Sequence, residues 1–269
     1  GGKADYVVTG QWGKKAYEEG CRFGDCRAVA SSADKTFSYI PELTPEMFDA
    51  DADYVHICYN NTIYGTKYAE LPPCGSLPLV ADLSSCILSE ELDVSKFALI
   101  YAGAQKNMGP AGLTPVVLKK ELLGRHREET PIMLQYEIHD KNGSMYNTPP
   151  TYSIYVCMLV LRWLKKLGGI PAMEQINREK AALLYDYLDN SRLFKPTVQA
   201  PYRSLMNIPF VTGDKELDAA FVKDAASHGL VNLKGHRTVG GMRASIYNAM
   251  PLEGVQALIE RMKAFEAEH

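Results

Sequence analysis

Strand-like and helix-like segments alternate through the first two thirds of this 269-residue chain, and that order leaves few architectures open. Residues 4–9 (ADYVVT), 27–30, 53–59 (DYVHICY), 79–82, 99–102 and 114–119 read as strands, with a first helix over 13–20 and a Pro-punctuated loop over 38–45. Short apolar runs separated in this way build a mainly parallel sheet with helices on its faces, so the expected class is α/β. Several of the strands end on polar or small residues: Asn60, Asn61 and Thr62 after one, Asp82 at the end of the next, Gly103 after the third. Open α/β sheets place their ligands at those carboxyl ends. The same residue types also suit an ordinary turn.

From residue 151 the pattern changes. A long helix enters after Pro149 and Pro150, repeats Ile154, Met158, Leu161 and Leu164 at helical spacing, and stops at Gly168-Gly169. A second helix runs from Pro171 to about residue 190, with Met173, Ile176, Leu183, Leu184 and Tyr187 on one face. Residues 206–211 and 242–247 read as strands, and a last helix from about Pro251 turns Leu252, Val255, Leu258, Ile259, Met262 and Phe265 inward. Helix, strand, helix, strand, helix is the order of a smaller α+β domain. The predicted division is therefore 1–168 for a large domain and 169–269 for a small one.

Composition narrows the function by exclusion. Lys plus Arg number 29 against 32 Asp plus Glu, a net charge of −3, with 46% hydrophobic and 23% charged residues. That balance excludes a disordered chain and one that holds nucleic acid by its overall charge. No run reaches the roughly 20 apolar residues of a membrane-spanning helix, and no basic segment followed by an apolar core opens the chain as a signal peptide would. The cysteines at 21, 26, 58, 74, 86 and 157 form no C-x-x-C pair, and no histidine cluster completes a zinc pattern. Free thiols in a cytoplasmic protein without a metal is the reading these spacings favour.

The most informative stretch is LIYAGAQKNMGPAGLT, residues 99–114. A strand runs into a turn of small residues that carries Lys106. A lysine on a solvated face is the common case, but one held among small uncharged residues loses basicity through desolvation, as a Schiff-base amine requires. In LVADLSS, Asp82 ends a neighbouring strand. It suits a turn or helix cap, with Ser84 and Ser85 as further capping groups. Beside a Schiff-base lysine it also suits the pyridinium nitrogen of pyridoxal phosphate, whose proton a carboxylate stabilises. Near the C-terminus, alternation along 242–247 puts Arg243, Ser245 and Tyr247 on one face and Met242, Ala244 and Ile246 on the other. An arginine so placed offers a two-pronged grip on a carboxylate.

With these residues in view, the chain resembles the phosphoserine aminotransferase family of class-V, fold-type I pyridoxal phosphate enzymes. The resemblance is carried by VADLSSCILSEELDVSKFALIYAGAQKNMGPAGLT and by GHRTVGGMRASIYNAMPLEGV at 235–255, with DYVVTGQW, CYNNTIYGT and MYNTPPTYSIY around them. It covers essentially the whole chain. It implies that Lys106 carries the Schiff base and moves the substrate proton, and that Asp82 meets the ring nitrogen. Trp12 would stack on the ring, although a core tryptophan is its ordinary reading. Thr62 would meet the ring hydroxyl and Gln105 the cofactor phosphate. Asn147 and Thr148 would reach that phosphate from a second subunit, making the enzyme a homodimer. Arg243 would hold the substrate α-carboxylate. His236 and Arg237 would hold the distal anion, with Gly235, Gly240 and Gly241 allowing close approach of backbone to ligand; a surface His-Arg pair beside a turn is the ordinary reading.

The implied reaction is transfer of an amino group from glutamate to 3-phosphohydroxypyruvate, with ping-pong kinetics, in serine biosynthesis. The keto form of phosphohydroxythreonine, in pyridoxine biosynthesis, is a second substrate the resemblance allows. The alternatives are another fold-type I enzyme, such as an alanine–glyoxylate aminotransferase or a cysteine desulfurase, and an inactive fragment or paralogue. A desulfurase needs a mobile cysteine in a Gly/Ser-rich loop, and no cysteine here has that setting. Against the family the chain starts late, missing roughly the opening quarter. That part would carry a Gly-rich phosphate loop and an Arg and His for the substrate's distal group, so weak cofactor binding and poor activity are expected of these residues alone.

Overall fold

A computed structural model describes residues 2–269. The first sheet comprises β1 (Lys3–Val8), β2 (Asp25–Ser31), β3 (Tyr54–Cys58), β4 (Leu79–Asp82), β5 (Leu99–Tyr101) and β6 (Val116–Leu118). Its spatial order is β2-β1-β3-β4-β5-β6, parallel throughout except for the antiparallel β6 at the edge. Helix α1 (Gln11–Gly20) makes the crossover from β1 to β2. The chain then returns to the other side of β1 to form β3, so the strand order reverses between β1 and β3. At such a reversal the connections leave in opposite directions and open a crevice at the strand ends. Val7, Val55, Ile57, Leu79, Ala81 and Ile100 build the core on one face. The other face carries His56, which is fully buried and donates to or accepts from Tyr101 Oη at 2.9 Å.

A short helix, α2 (Tyr136–Lys141), precedes the long α3 (Thr151–Leu167) and α4 (Gly169–Asn190). Pro150 caps the start of α3, and Gly168 at φ 118° turns the chain from α3 into α4, a left-handed conformation only glycine takes without strain. Helix α4 therefore begins two residues earlier than Pro171. The second sheet, β7 (Lys195–Pro196), β8 (Asn207–Val211) and β9 (Met242–Ser245), is antiparallel in that order. The two-residue β7 is an addition to the expected order, too short for any sequence period. Helices α4, α5 (Lys215–Ser227) and α6 (Leu252–Glu268) pack on this sheet around Leu184, Leu188, Phe194, Phe210, Phe221 and Phe265. Four of the phenylalanines meet edge to face or tilted, with ring centroids 4.7–6.3 Å apart. No helix among the described residues is long and apolar enough to cross a membrane.

Two helix faces differ from expectation. On α4 the buried face is Met173, Asn177, Lys180, Ala181, Leu184, Tyr185 and Leu188, and Leu183 points outward. Apolar content alone misplaced the stripe, because Asn177 and Lys180 are buried by hydrogen bonds. On α3 only Ser153, Cys157 and Leu164 are buried, while Ile154 and Leu161, expected inside, are exposed. That helix is apolar almost all round, so its periodicity does not say which side its own chain covers.

Candidate active site

The carboxyl ends of β1, β3, β4 and β5 converge at the reversal point. Trp12, Thr62, Asp82, Gln105 and Lys106, each arriving from a different loop or strand end except the last two, line one cavity of about 140 Å³. Lys106 Nζ donates to Thr62 Oγ1 at 2.8 Å. Burial lowers the basicity of this amine, the nearby Arg243 lowers it further, and Asp82 opposes both. Thr62 serves a second cation as well, since its carbonyl accepts from Arg243 Nη1 at 3.2 Å.

Asp82 is both a turn residue and a cavity carboxylate. Its Oδ1 accepts from Ser84 N at 2.8 Å and from Ser84 Oγ at 2.6 Å. Ser84 Oγ in turn accepts from Gly103 N at 3.0 Å, which ties Asp82 to the turn that carries Lys106. Both Ser84 contacts use Oδ1, leaving Oδ2 for another donor. An amine of lowered basicity, a carboxylate oxygen, a threonine hydroxyl and an indole at the mouth match the aldehyde, ring nitrogen, ring hydroxyl and face of pyridoxal phosphate. The residues present fit its ring.

Two buried amide networks support the cavity, and sequence reasoning did not find them. Asn60, which lines the cavity, donates through Nδ2 to Ser85 Oγ at 2.7 Å and to Asn207 Oδ1 at 3.0 Å. Asn207 Nδ2 continues to Ser245 Oγ at 3.2 Å and Tyr247 Oη at 3.0 Å. The face of β9 that bears Arg243 is thereby joined to the end of β3. Below Lys106, Asn107 Oδ1 accepts from Asn248 N at 3.0 Å, and Asn248 Oδ1 accepts from Asn177 Nδ2 at 2.9 Å. Lys180 Nζ, fully buried, donates to the carbonyls of Ile246, Tyr247 and Met250 at 2.9–3.2 Å. The available signal was the clustering of amides at strand ends, which turns share.

The expected alternation on β9 is present: Met242, Ala244 and Ile246 are buried, Arg243, Ser245 and Tyr247 half-buried. Arg243 Nε is buried and has no partner. His236 and Arg237 lie outside the 140 Å³ cavity, along a separate groove with Lys234 and Val239. Burial lowers the His236 pKa, and the positive charges of Arg243, Arg237 and Lys15 lower it further. Gly235 is required by its own loop, because a Cβ there would collide with Gly240 O; ligand approach is not what the structure gives as its reason. Asn147 and Thr148 sit exposed between α2 and α3, and this chain does not bring them to the cavity.

Comparison with known proteins gives one consistent answer. The aminotransferase class-V family model matches residues 1–258. A phosphoserine aminotransferase of Bacillus cereus is 57% identical over 267 residues, covering 99% of this chain and 74% of its own length. One from Listeria innocua is 53% identical, covering 98% and 72%. Among solved structures, the phosphoserine aminotransferase of Bacillus circulans subsp. alkalophilus superposes with a TM-score of 0.96 at 42% identity, over 100% of this chain and 74% of that one. The pyridoxal-phosphate-bound enzyme of Trichomonas vaginalis gives 0.90 at 37% identity, over 97% and 75%. The architecture is that of the fold-type I aminotransferases, and the chain belongs to the phosphoserine aminotransferases, a family of pyridoxal-phosphate-dependent class-V transaminases.

Proposed function

We propose that this chain exchanges an amino group between glutamate and 3-phosphohydroxypyruvate, giving O-phospho-L-serine, with the keto form of phosphohydroxythreonine as a second acceptor of the same charge pattern. The observation that carries this reading is Lys106, a desolvated amine on Thr62 Oγ1 at the ends of the central strands, with Asp82 beside it. Pyridoxal phosphate, when bound, supplies an aldehyde that condenses with amines and a ring that accepts an electron pair from Cα. Thr62, Asp82, Trp12 and Gln105 would hold it, with the roles that the resemblance implies. Lys106 Nζ moves the proton at the substrate Cα, and burial, by lowering its basicity, favours the neutral amine that this role needs. Asp82, whose Oδ2 is left free by Ser84, would stabilise a proton on the ring nitrogen. Arg243, with Nε unsatisfied, takes the α-carboxylate in a two-pronged contact, a geometry that lysine does not offer. His236 and Arg237 take the distal phosphate or γ-carboxylate.

The assembly we propose is a cytoplasmic homodimer. The exposed apolar side of α3 continues from the loop that carries Asn147 and Thr148, and a second copy would cover it while receiving those two residues at its own cofactor phosphate. The domain division we propose lies at Gly168-Gly169, between the helix that follows the six-stranded sheet and the helices that pack on the three-stranded one. Lys106→Ala tests the central role. It should abolish transamination while leaving the far-ultraviolet circular dichroism and melting temperature of the protein in place. Normal steady-state turnover by that variant would overturn the assignment.

A further inference from the structure

We propose that Lys15 on α1 is a specificity-determining residue of this enzyme, a further positive charge beside His236 and Arg237 for the distal anion of the substrate. The inference rests on the reading above, in which those two residues take that anion. Lys15 follows Trp12 by three residues, so both side chains share one face of α1. Its Nζ stands 5.0 Å from the centroid of the Trp12 ring, and Trp12 lines the cavity with Lys106 and Asp82. The ammonium is therefore held against a ring that lines the cavity by a cation–π contact. His236 and Arg237 line one groove, and the His236 Nδ1 contacts Thr238 Oγ1 at 2.8 Å; the charges of Arg243 and Arg237 both act on this imidazole. Lys15 adds to the positive potential that those arginines place on His236.

The remaining charges of α1 are balanced, within the helix or by Arg22 just beyond its end. Lys14 pairs with Glu18 at 3.7 Å and Glu19 with Arg22 at 3.6 Å. Lys15 makes no ion pair among the described residues, and neither do Arg237 and Arg243. Cations gathered without counter-charges repel one another, and an anionic ligand is what offsets that repulsion. A lysine, as a compact charge on a flexible stem, suits a phosphate that rotates. Its field favours a dianionic phosphate over a monoanionic carboxylate and has no effect on a substrate without a distal charge. Lys15 thus biases the site toward phosphorylated substrates.

The test begins with the cofactor-free protein and inorganic phosphate as the probe. In Lys15→Met, the His236 imidazole should titrate at higher pH by proton NMR, and its phosphate-induced shift should report binding weakened about five-fold, the scale of one partly exposed ion contact. With pyridoxal phosphate, kcat/KM for O-phosphoserine should fall about as much, that for glutamate less, and that for alanine not at all. Lys15→Arg should restore phosphate binding. Unchanged phosphate affinity, or an equal loss with alanine, overturns the proposal; the equal loss would mean that Lys15 acts only by holding Trp12. Arg237→Met, run in parallel, separates the two readings. If Arg237→Met weakens phosphate binding and Lys15→Met does not, only the role of Lys15 falls. If neither does, the distal site itself has been misplaced.

Discussion

Helices α3 and α6 are each 17 residues long and both carry apolar side chains at helical spacing, yet their stripes meet opposite fates. On α6, Val255, Leu258, Ile259, Met262 and Phe265 are all buried against α4, α5 and the three-stranded sheet. On α3, Tyr152, Ile154, Tyr155, Leu161 and Trp163 lie open. Leu258 is 4% exposed and Leu161 is 39%. Periodicity states that a face will be covered and says nothing about what covers it. In α6 the cover is local in the fold. For α3 we propose a second copy of the chain, and the contrast between the two helices can be tested directly.

The largest difference should come from matched truncations. Leu258→Ala should cost about 2–5 kcal/mol in urea denaturation of the dilute protein, since it leaves a cavity in a packed core. Leu161→Ala should cost about 0.5 kcal/mol or less under the same conditions. Equal losses would mean that the chain itself buries α3. A second contrast between covered and open groups is set by pH. Burial lowers the His56 pKa to about 4, with Asp82 opposing weakly. Below its ordinary value of about 6.5 the unfolded chain binds the proton more readily than the folded one. Stability is therefore full above pH 6.5 and falls by about 3 kcal/mol as pH drops through 4. His56→Phe should flatten that slope, and an unchanged acid transition would show that water reaches the imidazole. The smallest effect is on association. Leu161→Glu should weaken dimerisation by about 2 kcal/mol, roughly 30-fold, in sedimentation equilibrium without shifting the denaturation midpoint of the monomer. A variant that sediments as the parent does would remove α3 from the interface.

The first sheet was legible as mainly parallel because its strands are short apolar runs joined by long connections, while their order and the antiparallel β6 were not. Strand β4 ends where its sequence suggests, at Asp82, since the Ser84 amide and hydroxyl close the turn at that carboxylate. Strand β7 escaped because two residues have no period. The α4 face escaped because Asn177 and Lys180 look like surface residues until their partners, Asn248 and the carbonyls after β9, arrive from some 70 positions away. Five of the candidate cofactor residues meet in one cavity because each ends or follows a strand of the same sheet. Asn147 and Thr148 could not be placed by this route, for their proposed partner lies in another copy. Lys15 was passed over because one lysine on an amphipathic helix looks like any other. Only its distance to Trp12 and its field at His236 set it apart.

The bond from Asn248 N to Asn107 Oδ1 spans 141 positions of sequence. A ribosome adding about 5–20 residues each second needs roughly 7–28 s to cover that distance. For that interval the turn holding Lys106 exists without the amide that steadies it, however early its own strand has paired. The nascent chain can therefore pair its first sheet before its lysine is aligned, a step that waits until residue 250 has left the ribosome and Lys180 can close on the carbonyls beyond β9. The alignment of this amine waits on residues translated long after its own strand, and any agent that captures the amine of a half-made chain would meet it before that alignment is complete.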